Sequence, residues 1–491
     1  MTKFLAFVAA LVFPVAGITA DLPAGVGTAN TAVDLPDMGE SIDRFMSAAE
    51  EQQLGEAFMR NVRRSLSVMD DIQITRYINS LGQRLATFSN QPQRGFSFFV
   101  VDDPNINAFA GPGGYIGINA GLILAAQDED ELAAVIAHEI AHVTQRHLAR
   151  AYENTNNMSL PMTAAIIAAI VLGNQPGMGQ LSEATIASAA AGSIQKQINF
   201  TRSNEQEADR IGMQILSQAA YDNDAMQRFF TRLLQQNQYQ EDASLEFLRT
   251  HPLTINRIAG SISLQVNTSA HTLAKNKSSA HEYFLMMQHR IRVLINTNSA
   301  QLSDYYASQS DASNANKYGK ALAATRLRQY QAADKILADL LTDSPDNLQY
   351  LLAKIENEIA RGDAQQAVLL LSNKLRLYPN DIALSILYAQ ALLKDGQYIN
   401  ARDLLRKFIY KVKPTPLLFS LLAESEGKSN NVVAAHQALA EYYFLNGDSV
   451  SALKQIDLAL QQDKELLTND RARIEARRKL IKQTVDSENR P

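Results

Sequence analysis

His138-Glu139-Ile140-Ala141-His142 lies inside the apolar stretch Leu132–Val143, and it leaves that stretch one useful conformation. On a helix, residues four apart are neighbours on one face, so both imidazoles reach a single metal ion. Glu139 stands one step round, where a carboxylate can take a proton from an activated water. Glu129, Asp130 and Glu131 favour the N-terminus of such a helix, and Arg146 and Arg150 suit its C-terminus. The pattern is the H-E-x-x-H arrangement of zinc metalloproteases.

Composition narrows the ligands and partners. The chain has no cysteine, so thiolate ligation is excluded and His, Asp and Glu remain as ligands. A formal net charge of −5 with no Lys/Arg-rich run argues against nucleic-acid binding. At 491 residues the chain is too long for one core. Lys3, the apolar run Phe4–Ala16 and the small residues ending Gly17-Ile18-Thr19-Ala20 describe a secretory signal peptide over residues 1–20. The apolar run is shorter than the ~20 residues of a spanning helix, and no lipobox cysteine follows. A cysteine-free exported protein fits an oxidising space such as the periplasm.

Along the chain, Asp21–Pro36 reads as a loose lead-in and Ala48–Ala86 as helical. Phe96–Val101 reads as a strand, Asn107–Gly114 as a turn cluster, and Tyr115–Ile118 as a second short strand. A strand beside the metal helix could hold an extended peptide by main-chain pairing. Met162–Leu172 is almost wholly apolar but too short to span a membrane, and with the Ala-rich segment after it forms a hairpin over 161–198. Core packing or a surface-seeking lid with peripheral membrane contact would both suit it.

The C-terminal third repeats. Ala333, Ala367, Ala401 and Ala435 are 34 residues apart, as are Gly362 and Gly396, with Arg328 and Asn430 at the flanking registers. Pro345 and Pro379 keep the same spacing. A 34-residue helix–turn–helix period is the signature of tetratricopeptide repeats, which stack into a concave surface that binds other chains. The run Arg471–Lys482 reads as a basic, solvated cap. The fold class is therefore α+β: a zincin-like metallopeptidase domain, mostly helical with a small sheet, followed by an all-α tetratricopeptide-repeat solenoid. The expected boundaries are 21–262 for the peptidase, 263–313 for a helical connector, 314–483 for the repeats and 484–491 for a tail.

A catalytic zinc needs a third protein ligand. His147 lies at the wrong register for one and reads as solvent-facing or as support for a ligand. Glu205 and Asp209 are four apart on a helical pattern, so Glu205 can ligate while Asp209 bonds the outer nitrogen of a ligating His. Glu207 points away on this reading. His251, in Thr250-His251-Pro252, sits in an extended turn. It is a candidate for the fourth metal position at rest, or for a transition-state hydrogen-bond donor.

Asn107–Gly114, His138–His142, Glu205–Asp209 and Thr250-His251-Pro252 with Arg257-Ile258 together resemble the HtpX and CAAX-protease type of zinc metallopeptidase. The resemblance implies one Zn²⁺ per chain on His138, His142 and Glu205, with Glu139 as general base. The leader and the repeats resemble an exported branch tied to outer-membrane protein assembly. That implies unfolded or stalled outer-membrane proteins as clients, and the β-barrel assembly machinery and the lipopolysaccharide-transport barrel as partners. A second reading keeps the repeats as a chaperone-like scaffold whose protease is latent or rarely used.

Overall fold

The computed structural model describes residues 47–148, 163–165, 167–168, 202–237, 247, 251, 274–462 and 468–488. The leader, the lead-in, most of the 161–198 hairpin, Thr250, Pro252, Arg257 and Ile258 lie outside the described residues.

The helical expectation for 48–86 resolves into two helices. In α1 (Ala48–Ser65), Ser47 and Glu50 form a reciprocal capping box. In α2 (Ile72–Ala86), the Asp71 carboxylate accepts from the N–H groups of Gln73 and Ile74. Between them the chain extends onto a strand: Met69 N–H donates to Val100 O at 2.9 Å and Asp102 N–H to Ser67 O at 2.8 Å.

Three strands form one sheet in the order β1 (Ser97–Val101), β3 (Tyr115–Asn119), β2 (Ala108–Ala110). β1 runs parallel to β3, and β2 antiparallel to it. The cluster read as a turn thus contains a three-residue strand. Only its end, Pro112–Gly114, is a tight turn, with Gly114 at φ 75° and Gly95 O 2.2 Å from where its Cβ would stand. Beyond the bridge from residues 67–69, the outer edge of β1 is sealed by side chains of α2. Asn79 bonds both the N–H and the C=O of Phe98, and Gln83 donates to Phe96 O.

A short helix α3 (Ala120–Ala125) leads into α4 (Glu129–Thr144), which carries the paired histidines and is buried along nearly its whole length. A helix buried all round needs neighbours on every side, and its first-turn carboxylates recruit them. Glu131 is fully buried and pairs with Arg232, and Glu129 takes Arg84, Tyr77 and Tyr221. These residues therefore hold α2, the turn that follows α5 (Arg202–Gln218), and α6 (Ala225–Asn237) around α4, beyond any favourable interaction with the helix dipole. Of the 161–198 hairpin, the described Ala164, Ile167 and Ala168 are helical and buried with Phe58, Phe99 and Phe109 in one apolar cluster.

From residue 274 onward the chain is helical: α7 (Ala274–Ile295), α8 (Ser299–Ser308), α9 (Asn314–Arg326), α10 (Tyr330–Asp343), α11 (Leu348–Arg361), α12 (Ala364–Leu377), α13 (Ile382–Lys394), α14 (Tyr398–Phe408), α15 (Pro416–Lys428), α16 (Val432–Leu445), α17 (Ser449–Gln461) and α18 (Thr468–Glu488). From α9 to α18 each helix packs on the next. The 34-residue spacing has a backbone counterpart: Arg328, Gly362, Gly396 and Asn430 all take positive φ, between 60° and 102°, where one helix turns into the next. Ala333, Ala367 and Ala401 are fully buried at the same spacing, while Ala435 is half-buried. The basic run near the C-terminus is less solvated than expected. Ile474 and Ile481 are buried against Phe444 and Ile456, and Arg477 and Arg478 pair with Glu441 and Asp457.

The apolar core around α4 continues through α7 into α9–α11, and a buried charge cluster ties the same elements. Arg290 on α7 reaches both Asp71 oxygens and both Glu356 oxygens, at 2.6–2.9 Å. The array then touches α2, the sheet and α1. Arg76 pairs with Asp381 at 2.8 Å, and Lys413 Nζ donates to Ser97 Oγ at 2.8 Å. Arg60 and Arg477 both lie over the Phe444 ring, at 4.7 and 4.6 Å from its centroid. A groove of about 900 Å³ lies between these contacts, with Met59, Tyr115, Ile386 and Leu417 among its walls. Among the described residues no helix is long and apolar enough to cross a membrane.

Candidate metal centre

α4 and α5 build the site by close approach. Gly212 permits it, since a Cβ there would stand 3.2 Å from the N and Cα of His138. The contact brings Glu205 and Asp209, one turn apart on α5, onto the histidine face of α4. His138 Nε2 and His142 Nε2 lie 2.9 Å apart, and each is 3.5 Å from a Glu205 oxygen. His251 adds a fourth donor. Its Nδ1 lies 3.4 Å from His138 Nε2 and 3.2 Å from Glu205, and its Nε2 is 3.4 Å from Glu139. The candidate ligand atoms of His138, His142, Glu205 and His251 all fall within 4.8 Å of one another, and all four residues are buried.

The donor set fits a divalent cation. Asp209 stands 3.0 Å from His138 Nδ1, which keeps the proton there and turns the Nε2 lone pair inward. Lone pairs this close beside a carboxylate repel one another unless a positive charge lies between them. Metal–nitrogen bonds of ~2.0–2.1 Å in a tetrahedron place two nitrogens roughly 3.3 Å apart, near the spacing here. The local electrostatics report the same demand. Burial pushes the His138 imidazole down, but Asp209 and Glu205 more than offset it and raise its pKa to about 9. Burial alone would raise Glu205, yet the facing His251, His138 and His142 hold its carboxyl well below the usual carboxylate range. Burial and the neighbouring His138 drive His142 the other way, well below an ordinary histidine.

Sequence reasoning placed Glu139, His138, His142, Glu205, Asp209 and His251 near the metal, and the structure brings all six together. Of two others, it left His147 open between a solvent-facing residue and support for a ligand, and it misplaced Glu207. α4 ends at Thr144, and Arg146 takes φ 53°, so the chain turns back and His147 is 1% exposed, not solvent-facing. His147 Nδ1 is 2.8 Å from His142 Nδ1, and its Nε2 is 3.0 Å from Glu207, which therefore does not point away. The helical angle from His142 to His147 misled because the helix does not continue that far. Only an unusual backbone turn at a non-glycine residue could have signalled it.

β2 lies beside α4. Gly111 N–H donates to Tyr115 O and Asn119 N–H to Asn107 O, so the hydrogen-bonded pairs with β3 fall at 107, 109 and 111. The N–H and C=O groups of Ala108 and Ala110 therefore face away from β3. Among the described residues no strand pairs with that edge.

A buried two-histidine, one-carboxylate centre on an H-E-x-x-H helix is a metallopeptidase site, and the model of peptidase family M48 matches residues 73–264. The chain belongs to this metallopeptidase family. It is similar along nearly its whole length to the beta-barrel assembly-enhancing protease of Escherichia coli (strain K12), at 34% identity over 455 residues and 91% of each chain. The putative beta-barrel assembly-enhancing protease of Vibrio cholerae serotype O1 is 35% identical over 454 residues, covering 91% of this chain and 92% of its own. The mitochondrial metalloendopeptidase OMA1 of Schizosaccharomyces pombe is 31% identical over 184 residues, 38% of this chain and 51% of its own.

Proposed function

We propose that the chain is an exported, periplasmic zinc endopeptidase that also acts as a chaperone in outer-membrane protein assembly, degrading stalled β-barrel proteins or promoting their maturation. The observation that carries the reading is the convergence of four buried donor atoms beside Glu139. The outer-membrane role rests on similarity to relatives named beta-barrel assembly-enhancing proteases over 91% of the chain. The β-barrel assembly machinery and the lipopolysaccharide-transport barrel are the partners in this reading.

His138, His142 and Glu205 are the ligands, and Asp209 fixes the tautomer and orientation of His138. When bound, Zn²⁺ would polarise the scissile carbonyl and lower the pKa of a bound water toward ~7. Glu139 takes that water's proton and delivers it to the leaving amine. An extended client segment pairs with the outward groups of Ala108 and Ala110, which lays its main chain beside α4. Residues 314–483 are the tetratricopeptide stack that gathers clients, after a peptidase domain over 21–262 and a connector over 263–313. Purified chain should carry one zinc, and His138→Arg none; unchanged metal content in that variant would overturn the ligand assignment.

His251 acts as a lock in this reading. Its Nδ1, 3.2 Å from Glu205, would supply a fourth donor to the metal and its Nε2 faces Glu139, so that a water would be kept out and the base covered. His251→Ala should then cleave an unfolded substrate faster than wild type, and an equal or lower rate would dismiss the lock. The same geometry favours a second reading, in which the chain serves chiefly as a scaffold with a resting protease. Full rescue of envelope defects by Glu139→Gln, and none by a chain truncated near Asn314, would select that reading.

A further inference from the structure

The two candidate ligand histidines are supported in chemically different ways. His138 Nδ1 faces the Asp209 carboxylate directly at 3.0 Å. His142 Nδ1 instead faces another imidazole, His147 Nδ1, at 2.8 Å, and His147 Nε2 faces Glu207 at 3.0 Å. His147 is 1% exposed, whereas the Glu207 side chain is 32% exposed.

A nitrogen–nitrogen contact of 2.8 Å is a hydrogen bond only when one ring donates and the other accepts. With neutral rings, two arrangements are possible, and they have opposite consequences for the metal. If His147 carries its proton on Nε2, its Nδ1 accepts from His142 Nδ1–H. His142 Nε2 is then a lone pair aimed at His138 and Glu205. If His147 carries its proton on Nδ1, it donates to His142 Nδ1, and the His142 proton moves to Nε2, where it blocks ligation. The group at the far end of the relay decides between them. A carboxylate only accepts, so Glu207 holds the His147 proton on Nε2 and selects the first arrangement.

The geometry points to Glu207 as a positioning residue that sets, through His147, the metal-binding tautomer of His142. The inference rests on His142 being a ligand. Arg146, at φ 53° and 3.6 Å from Glu51, is the backbone device that folds His147 back onto α4.

The inference orders substitutions by hydrogen-bond sense as well as by size or charge. Glu207→Gln keeps an acceptor and should bind zinc within a few-fold of wild type. Glu207→Lys offers only donors, stabilises the blocked tautomer, and should weaken zinc affinity by ~10–100-fold. The Lys substitution also brings a positive charge near the site, so the discriminating measurement is a double-mutant cycle. In a His147→Ala background no relay remains, and Glu207→Lys should change zinc affinity little. Affinity is read by competition with a chromophoric chelator, and melting of the metal-free variants checks that the fold persists. A Glu207→Lys loss as large with His147→Ala as without it would overturn the relay, as would Glu207→Gln weakening zinc as much as Glu207→Lys. His142→Ala in the same assay separates the two levels: if it leaves zinc affinity unchanged, the ligand reading itself falls.

Discussion

Replacing Glu139 with Gln is expected to lower peptide cleavage by ~10²–10⁴-fold, the range a positioned general base supplies, while fold and metal content stay at wild-type levels. Glu139 is 1% exposed on a fully packed stretch of α4, and Gln is nearly isosteric, so the core loses no volume. Its carboxylate is not among the four convergent donors, so metal binding does not depend on it. The Gln side chain can keep an oxygen facing His251 Nε2 but cannot take a proton from water. The measurement is single-turnover cleavage of an unfolded protein beside metal analysis of the same sample. Cleavage at the wild-type rate would remove Glu139 from the mechanism, and loss of metal with activity would make it part of the metal-holding framework.

Arg290→Met should cost about 3 kcal/mol or more of stability, because truncating one member of a buried charge cluster strands the others. The Arg290 side chain is 7% exposed and satisfies Asp71, which also caps α2, and Glu356 on α11. The pH dependence follows from the same cluster. Burial would raise the Asp71 pKa, but Arg290 outweighs it and holds the carboxyl below its ordinary value. A depressed carboxylate stabilises the fold above its unfolded pKa, ~3.9, and loses that contribution as pH falls through the folded value. Without Arg290 only the N–H groups of Gln73 and Ile74 oppose burial, so Arg290→Met should unfold at a higher pH on acidification than wild type. Thermal melts at neutral pH and an acid titration by circular dichroism test both parts; an unchanged melting midpoint would show the cluster to be energetically neutral.

The sequence made most of the metal centre legible because its parts obey helical arithmetic. His138 with His142 and Glu205 with Asp209 are i, i+4 pairs in apolar or amphipathic surroundings, and Pro252 marked His251 as the tip of a turn. What stayed hidden depends on tertiary geometry. The three residues of β2 carry no periodic signal inside a run of Gly and Pro. Asn79 and Gln83, which seal β1, read from sequence as ordinary polar positions on a helix. His147 was legible as a candidate support for a ligand, but its contact with His142 and its link to Glu207 depend on the turn at Arg146, where a non-glycine residue takes a conformation that local propensity disfavours. In the helical array, the 34-residue spacing was plain in the alanines and glycines, and Arg328 and Asn430, at the equivalent positions, also take positive φ.

The helical array is fastened near both of its ends: at Arg290–Glu356 where it begins, and at Arg60–Phe444–Arg477 where it finishes. A stack free at one end behaves as a spring, each hairpin yielding to its own load. A stack held at both ends, and here also at Arg76–Asp381 and Lys413–Ser97 between them, behaves as an arch on several piers, in which a load on a hairpin passes to the nearest supports. Here one abutment is the N-terminal cap of α2 and the other is α1, which packs on the turn at Pro112–Gly114 leading out of β2. A load that wedges the arch open therefore pushes on α1 and α2, the elements beside the sheet.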